Sequence, residues 1–330
     1  MRSEVFALII APPWNGVILE NMLRGIGNFK IVGKFQDPTS VASSLDDERL
    51  YYVFTELETP QSDGMRCLEL LKNKKNVKIV IVSKLLRYSS HMLFEELKRF
   101  NPVLMSPAPS TKCEMELLSK AIAEKLTGGG NEVFLPKRSY ILNVEKISGV
   151  NGFITIIGGS TGALAHLYEI LDMFKPCDNS STVIALHTIK SRNIIEKINR
   201  ICGSHVADVK NLEKFELGEV YVLRSGRNYQ LVLRNGDLYF RTFKTQLALR
   251  YRPSINLIME NFSAIFRERC TGVILSGYGN DGILGSKLIA LRGGRVIVQD
   301  PSTAEVPIMP QSAIKAIEEL GKIPEIIKLL

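Results

Sequence analysis

Three residues in the second half of the chain have the side chains that acyl transfer requires. Ser160 lies in Gly158-Gly159-Ser160-Thr161-Gly162, which matches the pattern G-x-S-x-G. The small residues of this pattern allow a sharp turn that exposes the serine hydroxyl. His187 and Asp281 are candidate partners, because a histidine accepts a serine proton near neutral pH and a carboxylate fixes the histidine tautomer. We therefore predict an acyl-transfer site built from Ser160, His187 and Asp281.

Predicted strands and one helix position these residues. Residues 153–157 form an apolar, β-branched run that predicts a buried strand, and residues 163–174 have apolar side chains at helical spacing. Further apolar runs at 182–186 and 272–275 predict two more strands. His187 directly follows the first of these, and Asp281 lies in the loop 277–282 that leaves the second. Because groups that follow parallel strands gather at the carboxyl edge of an α/β sheet, we expect the three side chains to lie close together.

Simpler structural interpretations remain open for each residue. Ser160 would also serve as the N-cap of the helix that follows it. Asp281 lies in Asn280-Asp281-Gly282, a sequence typical of turns. The chain order Ser, His, Asp differs from the Ser, Asp, His order of α/β-hydrolases, which disfavours that family. We interpret the other histidines as structural or solvent-facing; they are His91, His166 and His205.

Length and composition indicate a globular protein with two domains. The 330 residues are 45% hydrophobic and 23% charged, and no apolar run is long enough to span a bilayer. We expect no secretory signal, because the first apolar run covers only residues 5–10 and follows Glu4. The five cysteines show no CxxC spacing, which favours reduced thiols and a cytoplasmic location. The net charge of +8 comes without a basic run interleaved with aromatics, so we predict no nucleic-acid binding.

Six arginines form a local concentration of positive charge in the second half. They are interpreted either as parts of solvated loops and strand edges, or as a dock for an acidic partner. The six are Arg224, Arg227, Arg234, Arg241, Arg250 and Arg252.

Residues 1–126 predict a flavodoxin-like domain. Five short apolar runs predict strands, and amphipathic stretches between and after them predict helices. This alternation indicates a doubly wound parallel sheet. The predicted strands are 5–10, 30–35, 51–57, 77–83 and 102–105, and the predicted helices are 17–24, 65–72, 90–99 and 112–125.

The segment TELETPQSDG, residues 55–64, resembles the region around the phosphorylated Asp of two-component receiver domains. The resemblance places Glu56 at the phosphoacceptor position and Ser83 at the receiver hydroxyl position. Ala11-Pro12-Pro13 stands where receivers have paired acids for Mg²⁺, and Ser106 stands in place of a Lys. We therefore expect a receiver fold with a degenerate phosphorylation site and no cation beside Glu56.

A glycine-rich stretch separates the two predicted domains. It begins at Thr127-Gly128-Gly129-Gly130. We predict a receiver-like domain at 1–126, a linker at 127–152 and a second domain at 153–330. Within the linker, 133–135 and 139–144 are candidate short strands.

The second domain resembles the catalytic domain of the chemotaxis protein-glutamate methylesterase (CheB) family over about residues 153–320. IGGSTGA resembles the nucleophile loop of that family, ALHTIK its His segment and GVILSGYGNDGILG its Asp segment; RPSIN and VQDPSTAEVPIMPQSAI match further segments. The resemblance implies a Rossmann-like fold, with Ser160 as nucleophile, His187 as general base and acid, and Asp281 as the carboxylate that orients His187. It also implies an oxyanion region made of Thr161, Gly162, Gly277, Tyr278 and Gly279.

The same resemblance implies an activity and partners. The expected reaction removes methyl groups from chemoreceptor glutamates, with glutamine deamidation as a second reaction. The expected partners are the cytoplasmic domains of methyl-accepting chemoreceptors, with a chemotaxis histidine kinase as a further candidate and with membrane contact only through receptor arrays. No cofactor or metal is expected. Two alternatives stay open: a non-catalytic chemotaxis docking module, and a hydrolase of another ester.

Several positions depart from the family pattern. Tyr278 stands where the family has Met, and Asn256 stands where Asp is usual. Arg224-Ser225 replaces Pro-Gly, Asn228 replaces His, and Ala163 replaces Gly. Tyr278 and Asn228 favour the alternative in which the chain hydrolyses a different ester.

Overall fold

The computed structural model describes residues 5–37, 39–46, 48–59, 64–127, 132–133, 151–174, 176–190, 192–202, 206–243 and 251–329. The chain divides into two compact units, the first comprising Met1–Tyr88 and Met92–Ile141 and the second Ser89–His91 and Leu142–Leu330. The largest sheet of each unit is parallel, which confirms the predicted α/β fold class.

The first unit is built on a six-stranded parallel sheet. In chain order, the elements up to residue 133 are β1 (Val5–Ile10), α1 (Pro13–Ile26), β2 (Phe29–Phe35), α2 (Thr39–Ala42), β3 (Tyr51–Thr55), α3 (Gly64–Leu71), β4 (Val77–Ser83), α4 (His91–Lys98), β5 (Leu104–Pro107), α5 (Lys112–Thr127) and β6 (Glu132–Val133). The strand order is β2-β1-β3-β4-β5-β6, and its first five strands follow the flavodoxin-like order 2-1-3-4-5. The predicted flavodoxin-like fold is therefore confirmed.

Strand boundaries differ from the prediction at three strands of this unit. Strand β2 begins at Phe29, one residue before the start of the predicted run. Strand β3 ends at Thr55, two residues before the end of the predicted run. Strand β5 covers Leu104–Pro107, whereas the predicted run was 102–105. Apolar runs do not mark these ends because buried residues continue into the loops that follow, as at Leu57 and Ala108.

The second unit is built on a seven-stranded parallel sheet. Its elements are β7 (Phe153–Gly159), α6 (Ala163–Met173), β8 (Ser180–Leu186), α7 (Arg192–Cys202), β9 (Val206–Asp208), β10 (Glu213–Lys214), β11 (Val220–Val222), β12 (Asn228–Arg234), β13 (Asp237–Phe243), α8 (Ile255–Phe266), β14 (Cys270–Ile274), α9 (Ile283–Leu291), β15 (Arg295–Gln299), α10 (Ile308–Glu318) and β16 (Glu325–Ile327). The strand order is β16-β15-β14-β7-β8-β11-β9. The predicted doubly wound, Rossmann-like sheet is confirmed.

The path of the chain reverses at the centre of this sheet. From β7 the chain adds β8, β9 and β11 on one side, and it later adds β14, β15 and β16 on the other. Open α/β sheets bind ligands beyond the carboxyl ends of the strands at such a reversal. The loops after β7 and β14 therefore flank the position where this fold is expected to hold a ligand.

Apolar side chains cover both faces of the parallel sheet. Along β7, Ile154 and Ile156 belong to one buried cluster, which includes residues of α8, α9 and α10. Ile157 belongs to a second cluster on the other face, with residues of α6 and α7. Successive strand residues point to opposite faces, so this alternation buries the strand on both sides and holds the loop after it in place.

A small antiparallel sheet was not predicted from the sequence. It has the order β10-β13-β12, and β12 pairs with β13 from Asn228 opposite Phe243 to Arg234 opposite Asp237. Asn235 and Gly236 connect the two strands, with positive φ angles of 52° and 90°. This is the geometry that an Asn-Gly turn favours between hairpin strands.

Most of the predicted linker, 127–152, lies outside the described residues. Glu132–Val133 forms β6, which pairs with β5, whereas the candidate strand at 139–144 falls in the part that is not described. The predicted domain boundaries stay predictions. Within the described ranges, no helix combines the length and the apolar character needed to cross a membrane.

Candidate active site

Ser160 follows β7 in a turn that requires small residues. A Cβ added to Gly159 would lie 2.6 Å from the Cβ of Ala163. Gly162 has a φ of 81°, and a Cβ there would lie 2.6 Å from the Oγ of Ser276. Helix α6 begins at Ala163 with Gly162 as its N-cap and with no side-chain cap hydrogen bond. The interpretation of Ser160 as the cap of this helix is therefore wrong.

The backbone around Ser160 ties the ends of three neighbouring strands together. The N–H of Ser160 donates to the carbonyl of Ser276, in the loop after β14, at 2.9 Å. The N–H of His187 donates to the carbonyl of Gly159 at 3.1 Å, which extends the β7–β8 ladder by one residue. Ser160 and His187 therefore leave adjacent strands side by side. Among the described residues, the Ser160 hydroxyl has no hydrogen-bond partner.

The imidazole of His187 is held from two directions. Its Nε2 lies 2.9 Å from Oδ2 of Asp281, so Nδ1 is the ring nitrogen left for a hydroxyl. Tyr251 stacks on the imidazole with ring centroids 5.0 Å apart and ring planes inclined by 1°. The carboxylate fixes the direction of the ring and Tyr251 covers one face of it. Tyr251 was not predicted from the sequence, because no motif marks a ring that stacks on a residue 64 positions earlier.

Asp281 is completely buried and its carboxylate has further donors. The N–H of Ile255 donates to Oδ2 at 2.8 Å, and the N–H of Asn256 donates to Oδ1 at 2.9 Å. Both donors lie in the first turn of α8, where unpaired N–H groups and the helix dipole stabilise negative charge. Asp281 is therefore a buried carboxyl group with both oxygens hydrogen-bonded, and not only a turn residue.

Asn256 holds the loop that carries Asp281. It is 3% exposed, and its Oδ1 accepts hydrogen bonds from the N–H groups of Gly282 and Gly285, both at 2.9 Å. These N–H groups belong to the N-terminal end of α9, which otherwise has no side-chain cap. Asn256, one of the departures from the family pattern, therefore makes its contacts inside the fold.

The side chain of Asn228 also lies inside the fold. It is fully buried, and its Oδ1 accepts a hydrogen bond from the N–H of Ser254 at 3.1 Å. Ser254 is the N-cap of α8, and its hydroxyl accepts from the N–H of Leu257. Asn228 therefore supports the helix end that binds Asp281 and does not line the pocket at Ser160.

A pocket of about 600 Å³ opens in front of Ser160 and His187. Tyr251 and Arg252 form part of its wall, and Gly226 lines it from the loop before β12. The exposed fraction of Tyr278, at the rim, is 60%. Of the positions that depart from the family pattern, Tyr278 and Ser225 are the ones that line this pocket.

The backbone N–H groups of the predicted oxyanion region differ in whether they already have an acceptor. The N–H of Gly277 donates to the carbonyl of Val306 at 3.0 Å, so this N–H is already paired. In the described part of the chain, the N–H groups of Thr161 and Gly162 have no acceptor. Tyr278 and Gly279 line the pocket.

Glu56 occupies a buried polar site in the first unit. Burial raises the pKa of its carboxyl to about 7, although hydrogen bonds from Ser83 and the backbone act in the opposite direction. Asn15 donates from Nδ2 to Oε2, and the N–H of Lys84 donates to Oε1 at 3.2 Å. Burial lowers the pKa of the Lys84 ammonium to about 8, and attraction to Glu56 opposes this. The expectation that Glu56 has no cation beside it is therefore wrong.

A doubly wound α/β domain with a serine, a histidine and an aspartate at neighbouring strand ends has the architecture of a hydrolytic domain. The family model described as CheB methylesterase matches residues 155–330. This match covers more than half of the chain, which therefore belongs to the CheB methylesterase family and is a hydrolase.

Similar proteins extend over most of the chain. A protein-glutamate methylesterase/protein-glutamine glutaminase of Thermotoga maritima is 23% identical over 91% of this chain and 89% of its own length. One from Carboxydothermus hydrogenoformans is 26% identical over 91% of this chain and 88% of its own length. The crystal structure of the Thermotoga maritima CheB methylesterase catalytic domain is 26% identical and covers 53% of this chain and 92% of that chain, with a TM-score of 0.47.

Proposed function

We propose that this chain is a protein-glutamate methylesterase that acts through a Ser160–His187–Asp281 triad. The contact that supports this proposal most directly is the 2.9 Å hydrogen bond between His187 and the buried Asp281, beside the exposed turn at Ser160. A purely structural role for Asp281 would not require its partner His187 to line a pocket, as it does here. The relatives named as methylesterases supply the substrate, a methyl ester on a protein glutamate.

In this mechanism, the Ser160 Oγ attacks the ester carbonyl carbon while Nδ1 of His187 accepts the hydroxyl proton. Asp281 keeps the other ring nitrogen, Nε2, protonated and stabilises the imidazolium. The C–O bond to the methoxy group then breaks, and His187 returns the proton so that methanol leaves. Water, deprotonated by His187, attacks the acyl-serine and releases the glutamate with Ser160 restored.

The oxyanion formed at each attack requires preorganised N–H donors. The N–H of Thr161 is the first candidate, because the residue after the nucleophile donates in turns of this kind and because this N–H has no other acceptor among the described residues. The N–H of Gly162 and the 278–279 loop are further candidates. We assign no donor role to the N–H of Gly277, since Val306 already accepts from it.

The same acyl-serine accounts for glutamine deamidation as a second reaction. Attack on a side-chain amide releases ammonia in place of methanol, and His187 protonates the leaving nitrogen. The relatives named as protein-glutamine glutaminases support this extension. The partners in this proposal are the cytoplasmic domains of methyl-accepting chemoreceptors, with the enzyme in the cytoplasm and a chemotaxis histidine kinase as a further candidate partner.

The test is release of methanol from membranes that contain chemoreceptors with radiolabelled methyl esters. The full chain should release labelled methanol, and Ser160→Ala should reduce the rate by several orders of magnitude, as loss of a triad nucleophile does. Ser302→Ala is a matched control, because this serine is exposed and lies outside the pocket. Equal rates for Ser160→Ala and the unmodified chain would contradict the proposal. No release by either protein would favour one of the two alternatives, a non-catalytic docking module or a hydrolase of another ester.

A further inference from the structure

A second, strongly basic pocket adjoins the candidate active site. It has a volume of about 440 Å³, and Ser225 and Gly226 line both this pocket and the one in front of Ser160. A polypeptide that places one residue at Ser160 can therefore place a neighbouring side chain here. The ionisable side chains that line it are Lys190, Lys210, Arg224, Arg227 and Asp208.

Positive charge exceeds negative charge in this pocket by three, since four cationic side chains face one carboxylate. Arg224 donates to Asp208 from Nε at 2.7 Å and also from its second Nη, so this pair is self-compensated. Among the described residues, Lys190, Lys210 and Arg227 form no ion pair and are exposed. Three cationic side chains that form no ion pair among the described residues favour an acidic ligand.

The walls of this basic pocket are held by the fold. The hydroxyl of the buried Tyr229 accepts from the N–H of Arg224 at 2.9 Å. The N–H of Ser225 donates to the carbonyl of Ile189 at 2.7 Å, which joins the loop after His187 to the loop before β12. Lys190 and Arg227 therefore extend from two loops that are fixed to one another, beside the candidate catalytic histidine.

We propose that this basic pocket binds free carboxylates of acidic residues next to the methyl ester in the substrate protein. The proposal rests on the proposed function, because the substrate is then a polypeptide that carries glutamates. On a helix, residues three or four positions apart lie about 5–6 Å from one another, so an acidic neighbour one turn away enters the adjoining pocket. The enzyme then prefers esters that are flanked by unmodified glutamates.

Arg224 and Ser225 form part of the wall of this basic pocket. These residues stand where the family pattern has Pro-Gly. Arg224 does not bind the ligand in this proposal; it is paired with Asp208 and forms part of the wall. The exposed cations on either side, Lys190 and Arg227, supply the recognition.

The experiment uses two helical peptides with a single γ-methyl glutamate. One peptide has Glu at the positions three and four residues before and after the ester, and the other has Gln there. We expect the kcat/KM of the full chain to be about 3- to 10-fold higher for the Glu peptide than for the Gln peptide. A difference of this size is what a few exposed ion pairs contribute to binding. The preference should appear mainly in KM and should decrease at high salt, since exposed charges are screened.

The double variant Lys190→Gln, Arg227→Gln should reduce this ratio towards one. Arg234→Gln is the matched control: it also removes an exposed charge, but at the far end of β12, about 20 Å along the strand from Asn228. It should leave the ratio unchanged. A ratio near one in the unmodified chain, or an unchanged ratio in the double variant, would overturn the proposal.

Binding to the Ser160→Ala chain separates this proposal from the proposed function. Fluorescence anisotropy of the two labelled peptides measures affinity without turnover. We expect the Glu peptide to bind more tightly than the Gln peptide, and we expect this difference to disappear when Lys190→Gln and Arg227→Gln are added. That result supports ligand binding by the basic pocket even if neither peptide is hydrolysed. Equal affinities for the two peptides refute the pocket even if Ser160-dependent hydrolysis is observed.

Discussion

Replacing Asn256 with Ala tests whether this side chain holds the Asp281 loop. The substitution removes the single acceptor that serves the N–H groups of Gly282 and Gly285, at a position that is 3% exposed. A buried donor left without a partner costs about 1–3 kcal/mol, so two donors cost about 2–6 kcal/mol of unfolding free energy. For a unit of this size, each kcal/mol lowers Tm by about 2–4 °C. We therefore expect the unfolding transition of the second unit to fall by roughly 5–20 °C.

Asn256→Asp is the matched control. Its carboxylate keeps an oxygen acceptor for both N–H groups, and Asp is usual at this position in the family pattern. We expect a smaller loss than in Asn256→Ala, because both N–H groups keep an acceptor. The loss that remains comes from repulsion between the new charge and the carboxylate of Asp281, which already accepts from the N–H of residue 256. Differential scanning calorimetry of the full chain measures both variants, because it separates transitions of the two units. A Tm for Asn256→Ala within about 2 °C of the unmodified chain, less than the shift expected for 1 kcal/mol, would refute this reasoning.

Three further predictions concern Asp281 and the first unit. Asp281→Asn should lower kcat for methanol release by about 10⁴-fold, as in other triads, because the amide no longer fixes the His187 tautomer; a loss below tenfold would contradict the assigned role. Residues 1–126 should not be labelled by acetyl phosphate with Mg²⁺, because Ala11-Pro12-Pro13 offers no carboxylate; stoichiometric labelling, or activation of the full chain, would contradict this. The pKa of Glu56 rises from 4.5 to about 7 on folding. Between these pH values the folded chain binds more protons than the unfolded chain, so the free energy of unfolding falls as pH rises through this range. Urea titrations should show that Glu56→Gln removes this slope, and an unchanged slope would contradict the burial of an ionisable carboxyl.

Much of the fold was accessible from local sequence patterns. The strands at Val5–Ile10 and Val77–Ser83 were predicted with the observed boundaries, because buried parallel strands are rich in apolar, β-branched residues. The hairpin of β12 and β13 was missed, although Asn235-Gly236 between two strand-like runs is a strong hairpin signal. This hairpin could therefore have been predicted from the sequence.

The parts of the site that the sequence did not reveal depend on contacts between distant segments. The sequence identified Ser160, His187 and Asp281 as candidates because each follows a predicted strand. It did not show that Tyr251 stacks on the imidazole or that Asn256 caps α9, because these contacts depend on how the loop before α8 packs against the sheet edge. Lys84 was missed beside the Glu56 carboxylate because the two residues follow different strands, β4 and β3, which pair only in the folded chain.

The central claim is that Ser160 is a nucleophile activated by His187. Incubation of the full chain with a fluorophosphonate, followed by intact mass and peptide mapping, tests this claim directly, because such reagents phosphonylate an activated serine hydroxyl. The account predicts one adduct per chain, located on Ser160, with labelling strongly slowed in His187→Ala and unaffected in His166→Ala. An adduct on another residue, or labelling of Ser160 at the same rate without His187, would contradict it.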